Sequence, residues 1–96
     1  MEVREFQRWM DERYGDRDRR RGIDRSFAWL VEEVGELSRA LHKGTREDRE
    51  HEFSDVFAWL VSLANLAEID MQDALARYAT GCPKCGATPC SCVFVA

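Results

Sequence analysis

A chain of 96 residues predicts one small domain. Its net charge of −4, with charged residues of both signs at 33%, excludes the basic surface of a general nucleic-acid binder. The longest apolar stretch, 56–67, is interrupted by Ser62 and Asn65 and is too short to span a bilayer. The charged opening Met1-Glu2-Val3-Arg4-Glu5-Phe6 has no signal-peptide core, so a cytoplasmic setting with reduced thiols is expected. A domain this short buries a modest share of its surface, and a partner subunit or a structural metal is expected to supplement it.

Val3, Phe6, Met10 and Tyr14 recur at helical spacing, which predicts a first helix over residues 2–14, ended by Gly15. Residues 15–23 read as a polar, arginine-rich connection. Asp24 is the expected N-cap of a second helix. Its apolar stripe is Phe27, Leu30, Val31, Val34, Leu37 and Leu41, and Gly44 is its expected C′ residue after His42 and Lys43. Thr45 caps a third helix running to about Ala67, with Asp48 at the capping-box position.

That third helix is apolar around most of its circumference, which requires cover on several sides. The expectation is a homodimer, or a higher homo-oligomer, whose hairpins pair into a four-helix bundle. Asp70 then caps a short fourth helix with the apolar face Met71, Ala74, Leu75 and Tyr78, closed by Gly81. The predicted class is all-α, with a helical domain over 1–80 and a cysteine-rich tail over 81–96.

Acidic residues sit in mirror positions about Gly44. Glu36 and Glu52 are each eight residues from it, and Glu33 and Asp55 are each eleven away. In an antiparallel hairpin Glu36 comes level with Glu52, and Glu33 with Asp55. Helices pack about 8–10 Å apart, a gap two carboxylate side chains can bridge. On a helical wheel at about 100° per residue these acids border the apolar stripe, where they are partly desolvated. Like charges so placed call for a cation, and hard oxygen donors suit Mg²⁺ or Mn²⁺.

The motif Glu32-Glu33-x-x-Glu36 followed by Glu52-x-x-Asp55, within Leu30-Val31-Glu32-Glu33-Val34-Gly35-Glu36-Leu37 and Glu52-Phe53-Ser54-Asp55-Val56, resembles the signature of the MazG-type nucleotide pyrophosphohydrolases. The resemblance spans roughly residues 1–80. It implies an all-α enzyme that uses Mg²⁺ to cleave a nucleoside triphosphate to the monophosphate and pyrophosphate. It also implies that Glu33, Glu36, Glu52 and Asp55 are the metal ligands. Glu32 is implied to complete the metal shell, or to orient or deprotonate the attacking water. Phosphoribosyl-ATP pyrophosphohydrolases share the acid pattern, and a non-enzymatic zinc-bearing interaction module is the reading from a different class.

Trp29 and Trp59 are also equidistant from Gly44 and border the acids. They are expected in the dimer core, with base stacking as the alternative and Phe6 and Trp9 as other candidates for a base pocket. Arg17, Arg19, Arg20, Arg21 and Arg25 form the one basic cluster. It reads first as a solvated loop; with Lys43 and Arg49, it also offers phosphate contacts. In the tail, Cys82-Pro-Lys-Cys85-Gly is followed by Cys90-Ser-Cys92. Four clustered cysteines in a reducing setting predict a structural zinc knuckle.

Overall fold

Gly15 does not end the first helix. The computed structural model, which describes residues 1–93, carries α1 unbroken over Val3–Arg21. Gly15 is buried within it, and the polar segment beyond remains helical rather than forming a connection. The guanidinium of Arg19 bonds back to Asp11 at 3.1 Å and to Asp16 at 2.8 Å, which fastens this turn. An interior glycine costs a helix about 1 kcal/mol, too little to outweigh packing against a neighbour.

The chain breaks instead at Gly22. Its φ of 86° is a conformation that disfavours any side chain. The next helix, α2 (Ile23–Lys43), starts at once, with no side-chain cap. Asp24 is therefore a first-turn residue, not the N-cap, where its charge complements the helix dipole.

The hairpin turn joins α2 to α3 (Arg46–Leu66). Thr45 and Asp48 form the expected capping box: Thr45 Oγ1 accepts from the Asp48 N–H at 3.1 Å, and Asp48 Oδ2 accepts from the Thr45 N–H at 3.0 Å. Arg49 donates from Nε to the Ala40 carbonyl at 3.1 Å and from Nη2 to that of Leu41 at 3.3 Å. It thereby satisfies carbonyls at the end of α2.

Gly44 does not adopt the left-handed C′ conformation; its φ is −83°. Glycine is needed there for space. A Cβ would lie 2.7 Å from the Ala40 carbonyl oxygen and 3.0 Å from Asp48 Cβ. Gly44→Ala is accordingly expected to cost about 1–3 kcal/mol through overpacking, read as a lower urea midpoint. An unchanged midpoint would mean that the turn relaxes freely.

α1 lies against α3. The Phe6 and Phe57 rings are 5.6 Å apart, and the buried Gln7 reaches the loop that follows α3. Arg4 donates to Asp70 at 2.9 Å and to Asp73 at 2.9 Å, and the bond from Arg4 holds the Asp70 carboxyl below its usual range. Asp70 Oδ1 accepts from the Asp73 N–H at 3.2 Å, as its capping role requires.

The helix it caps, α4 (Met71–Leu75), is a single turn that passes into a 3₁₀ turn over Ala76–Tyr78. Leu75 and Tyr78 are exposed, so the apolar face expected there is only partly covered. The described residues contain helices and no strands, and none of those helices is long and apolar enough to cross a membrane.

The buried apolar core consists of Leu30, Ala40, Val61 and Ala64. Phe27, Val31, Val34 and Leu41 on α2 stand exposed, as do Phe53, Phe57 and Leu60 on α3. Both sets recur at i, i+3/i+4 and i+7 and so form stripes.

Candidate metal centre

α2 and α3 meet in the register their sequences imply. The Trp29 and Trp59 rings stack with centroids 6.1 Å apart and planes inclined by 18°. One turn nearer Gly44 come Glu33 and Asp55, close enough for the Asp55 charge to act on Glu33, and beyond them lie Glu36 and Glu52. Glu33, Glu36 and Glu52 each bring a carboxylate oxygen to within 4.8 Å of the others. Asp55 stands at the rim, where Oδ2 is 3.1 Å from His51 Nε2. His51, Glu52 and Asp55 form a second, overlapping group of donors. Glu32 is exposed and outside both groups.

Two of these carboxylates are held under strain. Glu33 Oε2 and Glu52 Oε2 are buried and have no hydrogen-bond partner. Burial pushes the Glu33 carboxyl above its ordinary range, and the charges of Glu36, Asp55, Glu52 and Glu32 push it further. Unpaired carboxylate oxygens in low dielectric are costly. Oxygen-only donors of this kind fit a hard divalent cation. Mg²⁺ binds oxygens at about 2.0–2.1 Å, so opposite ligands lie about 4.2 Å apart.

A recess of about 300 Å³ opens next to Asp55. Tyr14, Arg17, Asp18 and Arg21 of α1 line one side, and Trp59 and Ser62 of α3 the other. Met10 and Tyr14 face it from α1; neither Phe6 nor Trp9 lines it. Phe6 packs on Phe57, and Trp9 carries the Arg13 guanidinium at 5.2 Å.

Arg21 lies 4.9 Å over the Trp59 ring and donates to Asp18 at 2.9 Å. Asp18 is 4% exposed, and its Oδ2 has no partner. Of the arginine cluster, Arg17 and Arg21 reach this recess, whereas Arg19 is spent on Asp11 and Asp16. On the opposite side of the acids a shallow groove is lined by Glu36, Arg39, Lys43 and Glu52.

Asp18 and His51 did not emerge from the sequence as site residues. The signal for Asp18 was its place four residues after Tyr14, on the stripe that Val3 begins. For His51 it was the i,i+4 spacing to Asp55.

The structure thus gathers Glu33, Glu36, Glu52 and Asp55 around one interhelical space, with an aromatic and arginine-lined recess at one end. Independent support comes from sequence comparison. The family model described as the MazG nucleotide pyrophosphohydrolase domain matches residues 21–83. No curated protein matches the chain. The match covers α2, α3, α4 and every acid of the interhelical cluster, and the chain belongs to the MazG nucleotide pyrophosphohydrolase family.

Proposed function

We propose that the protein is a Mg²⁺-dependent nucleoside-triphosphate pyrophosphohydrolase that releases the monophosphate and pyrophosphate. The observation that carries this reading is the pair of buried, partnerless oxygens on Glu33 and Glu52, facing one space from two helices. Glu33, Glu36, Glu52 and Asp55 would hold the metal, with Mn²⁺ as a chemically equivalent ion. When bound, the ion supplies charge neutralisation for the phosphate oxygens and fixes them for in-line displacement.

The chain's own residues set the direction in which the substrate lies. Along the hairpin the order is Trp29 and Trp59, then Glu33 and Asp55, then Glu36 and Glu52, then Arg39 and Lys43. A nucleotide laid lengthwise puts its base in the recess, among the side chains of Met10, Tyr14 and Trp59 that line it. Its α-phosphate falls among the acids. Its terminal phosphates point toward Arg39 and Lys43, where positive charge favours the departing pyrophosphate.

A water oxygen bonds to the α-phosphorus, and the bond from that phosphorus to the bridging oxygen breaks. Glu32, exposed beside Glu33, is free to take the water's proton. Asp18, buried with one free oxygen, accepts an N–H from the base edge.

The working form is a homodimer in a cytoplasmic setting. The exposed stripes Phe27, Val31, Val34, Leu41 and Phe53, Phe57, Leu60 form the contact. Val34→Glu is expected to convert a dimer to a monomer in light scattering coupled to gel filtration, because a charge at the centre of an apolar contact is left unpaired. A wild-type monomer at micromolar concentration would remove the dimer from this account.

The activity is tested by pyrophosphate release from a panel of NTPs, dNTPs and phosphoribosyl-ATP with Mg²⁺. Wild type is expected to release pyrophosphate from at least one nucleotide, and Glu36→Gln from none. Folded, metal-supplied protein that leaves every nucleotide intact would sink the reading.

A further inference from the structure

The tail beyond α4 is not needed for the chemistry above, and Cys85, Cys90 and Cys92 lie beyond the family match, which ends at residue 83. The tail nonetheless has a definite shape. The Cys82 N–H donates to the Ala87 carbonyl at 3.0 Å, and the Gly86 N–H to the Cys82 carbonyl at 2.7 Å. These bonds close a tight turn around Cys85. Gly86 has a φ of 77°, and a Cβ on Gly81 would lie 2.6 Å from the Gly86 carbonyl oxygen. Both glycines are therefore required by the turn itself.

The turn delivers all four sulfurs to one point. Every Sγ of Cys82, Cys85, Cys90 and Cys92 lies within 4.8 Å of the others, and none is in a disulfide. Cys82 and Cys92 are 3.7 Å apart, and Cys85 and Cys90 are 4.0 Å apart. A tetrahedral ion with bonds of about 2.3 Å to sulfur requires sulfurs about 3.8 Å from one another. The Cys82–Cys92 and Cys85–Cys90 separations match two opposite edges of such a tetrahedron, and the remaining pairs lie within 4.8 Å.

Backbone N–H groups also point at the sulfurs. The Ser91 N–H donates to Cys85 Sγ at 3.3 Å, and the Cys92 N–H to Cys90 Sγ at 3.3 Å. Such bonds stabilise thiolate charge around a metal. Among the described residues no histidine or carboxylate joins this group.

We propose that Cys82, Cys85, Cys90 and Cys92 of a single chain form a closed structural zinc site, separate from the carboxylate centre. Four sulfur ligands leave no open position for a substrate or water, so the ion orders the tail and takes no part in hydrolysis. Since so short a loop has almost no apolar core of its own, its order depends on the ion.

The test uses the full chain, purified and assayed for metal content. Wild type and Glu36→Gln are both expected to carry one zinc per chain, and Cys85→Ser and Cys92→Ser to lose it. Cobalt exchange is expected to give the visible bands of a tetrahedral thiolate site in the first two proteins and to lose them in the second two. Helical circular dichroism is expected to be the same in all four, since the cysteines lie outside the helices.

Trypsin provides a readout independent of metal analysis. The Lys84–Cys85 bond lies inside the turn and is expected to resist cleavage until a thiol-directed reagent or chelator removes the ion. Several results would overturn the proposal. They are zinc retained by the serine variants, zinc lost in Glu36→Gln, one zinc per two chains, iron in place of zinc, or cleavage at Lys84 that ignores the chelator.

Discussion

Glu33→Gln is expected to lower nucleotide hydrolysis by about 10²–10³-fold, the scale of losing one aligned electrostatic partner in a water-poor site, while raising the melting temperature of the metal-free protein. The two effects have one cause. Glu33 is the acid most burdened by its surroundings, because burial and the charges of Glu36, Asp55, Glu52 and Glu32 all oppose its ionised form. An amide keeps the shape and discards the charge.

In the metal-free protein that removes the repulsion and the burial penalty on the charge, so the melting temperature is expected to rise. With Mg²⁺ the order reverses. The wild type is expected to gain stability as the ion fills the space between Glu33 and Glu52, and the variant to gain much less. Differential scanning with and without Mg²⁺, alongside the pyrophosphate assay, reads both effects. A variant that is less stable without metal and still active would show that Glu33 is a structural acid.

The second large effect is expected far from the acids. Gln7→Ala should cost about 2–3 kcal/mol, read from urea unfolding, because buried backbone groups lose their partners. Gln7 is 7% exposed. Its Nε2 donates to the Ile69 carbonyl at 2.7 Å, and its Oε1 accepts from the Met71 N–H at 2.9 Å. Asn65 Nδ2 completes the joint by donating to the Gln7 carbonyl at 3.1 Å.

One amide therefore ties α1 to the start of α4, across the turn where Glu68 adopts a φ of 59°. Arg4 serves as the comparison, since its pairs with Asp70 and Asp73 lie in solvent and contribute little. Gln7→Ala no more costly than Arg4→Ala would mean that water replaces the amide.

The hairpin was legible because one residue organises it. Distances counted from Gly44 predict which side chains meet, and the Trp29–Trp59 stack verifies the count. The capping box at Thr45 and Asp48 was equally readable, since it depends only on local spacing.

What escaped were features set by packing. Gly15 looks like a stop signal, and the charged run after it looks like a loop. Yet this segment stays helical, which carries Asp18 and Arg21 to the recess. Gly44 was recognisable as a turn residue, but its reason, the close approach of Ala40 and Asp48, exists only once the hairpin has formed. Asp18 is a buried acid on a stripe of apolar residues, marked in the sequence only by its spacing from Tyr14.

The mirror arrangement about Gly44 also limits how the gene can vary in length. One extra codon between Gly44 and Glu52 would turn Glu52, Asp55 and Trp59 together by about 100° and shift them by about 1.5 Å along the axis. The acid pairs and the tryptophan stack would fail in a single event, however conservative the inserted residue. Point substitutions, by contrast, test these side chains one at a time. Insertions and deletions should be purged from 33–55, so length variation itself becomes a map of the site.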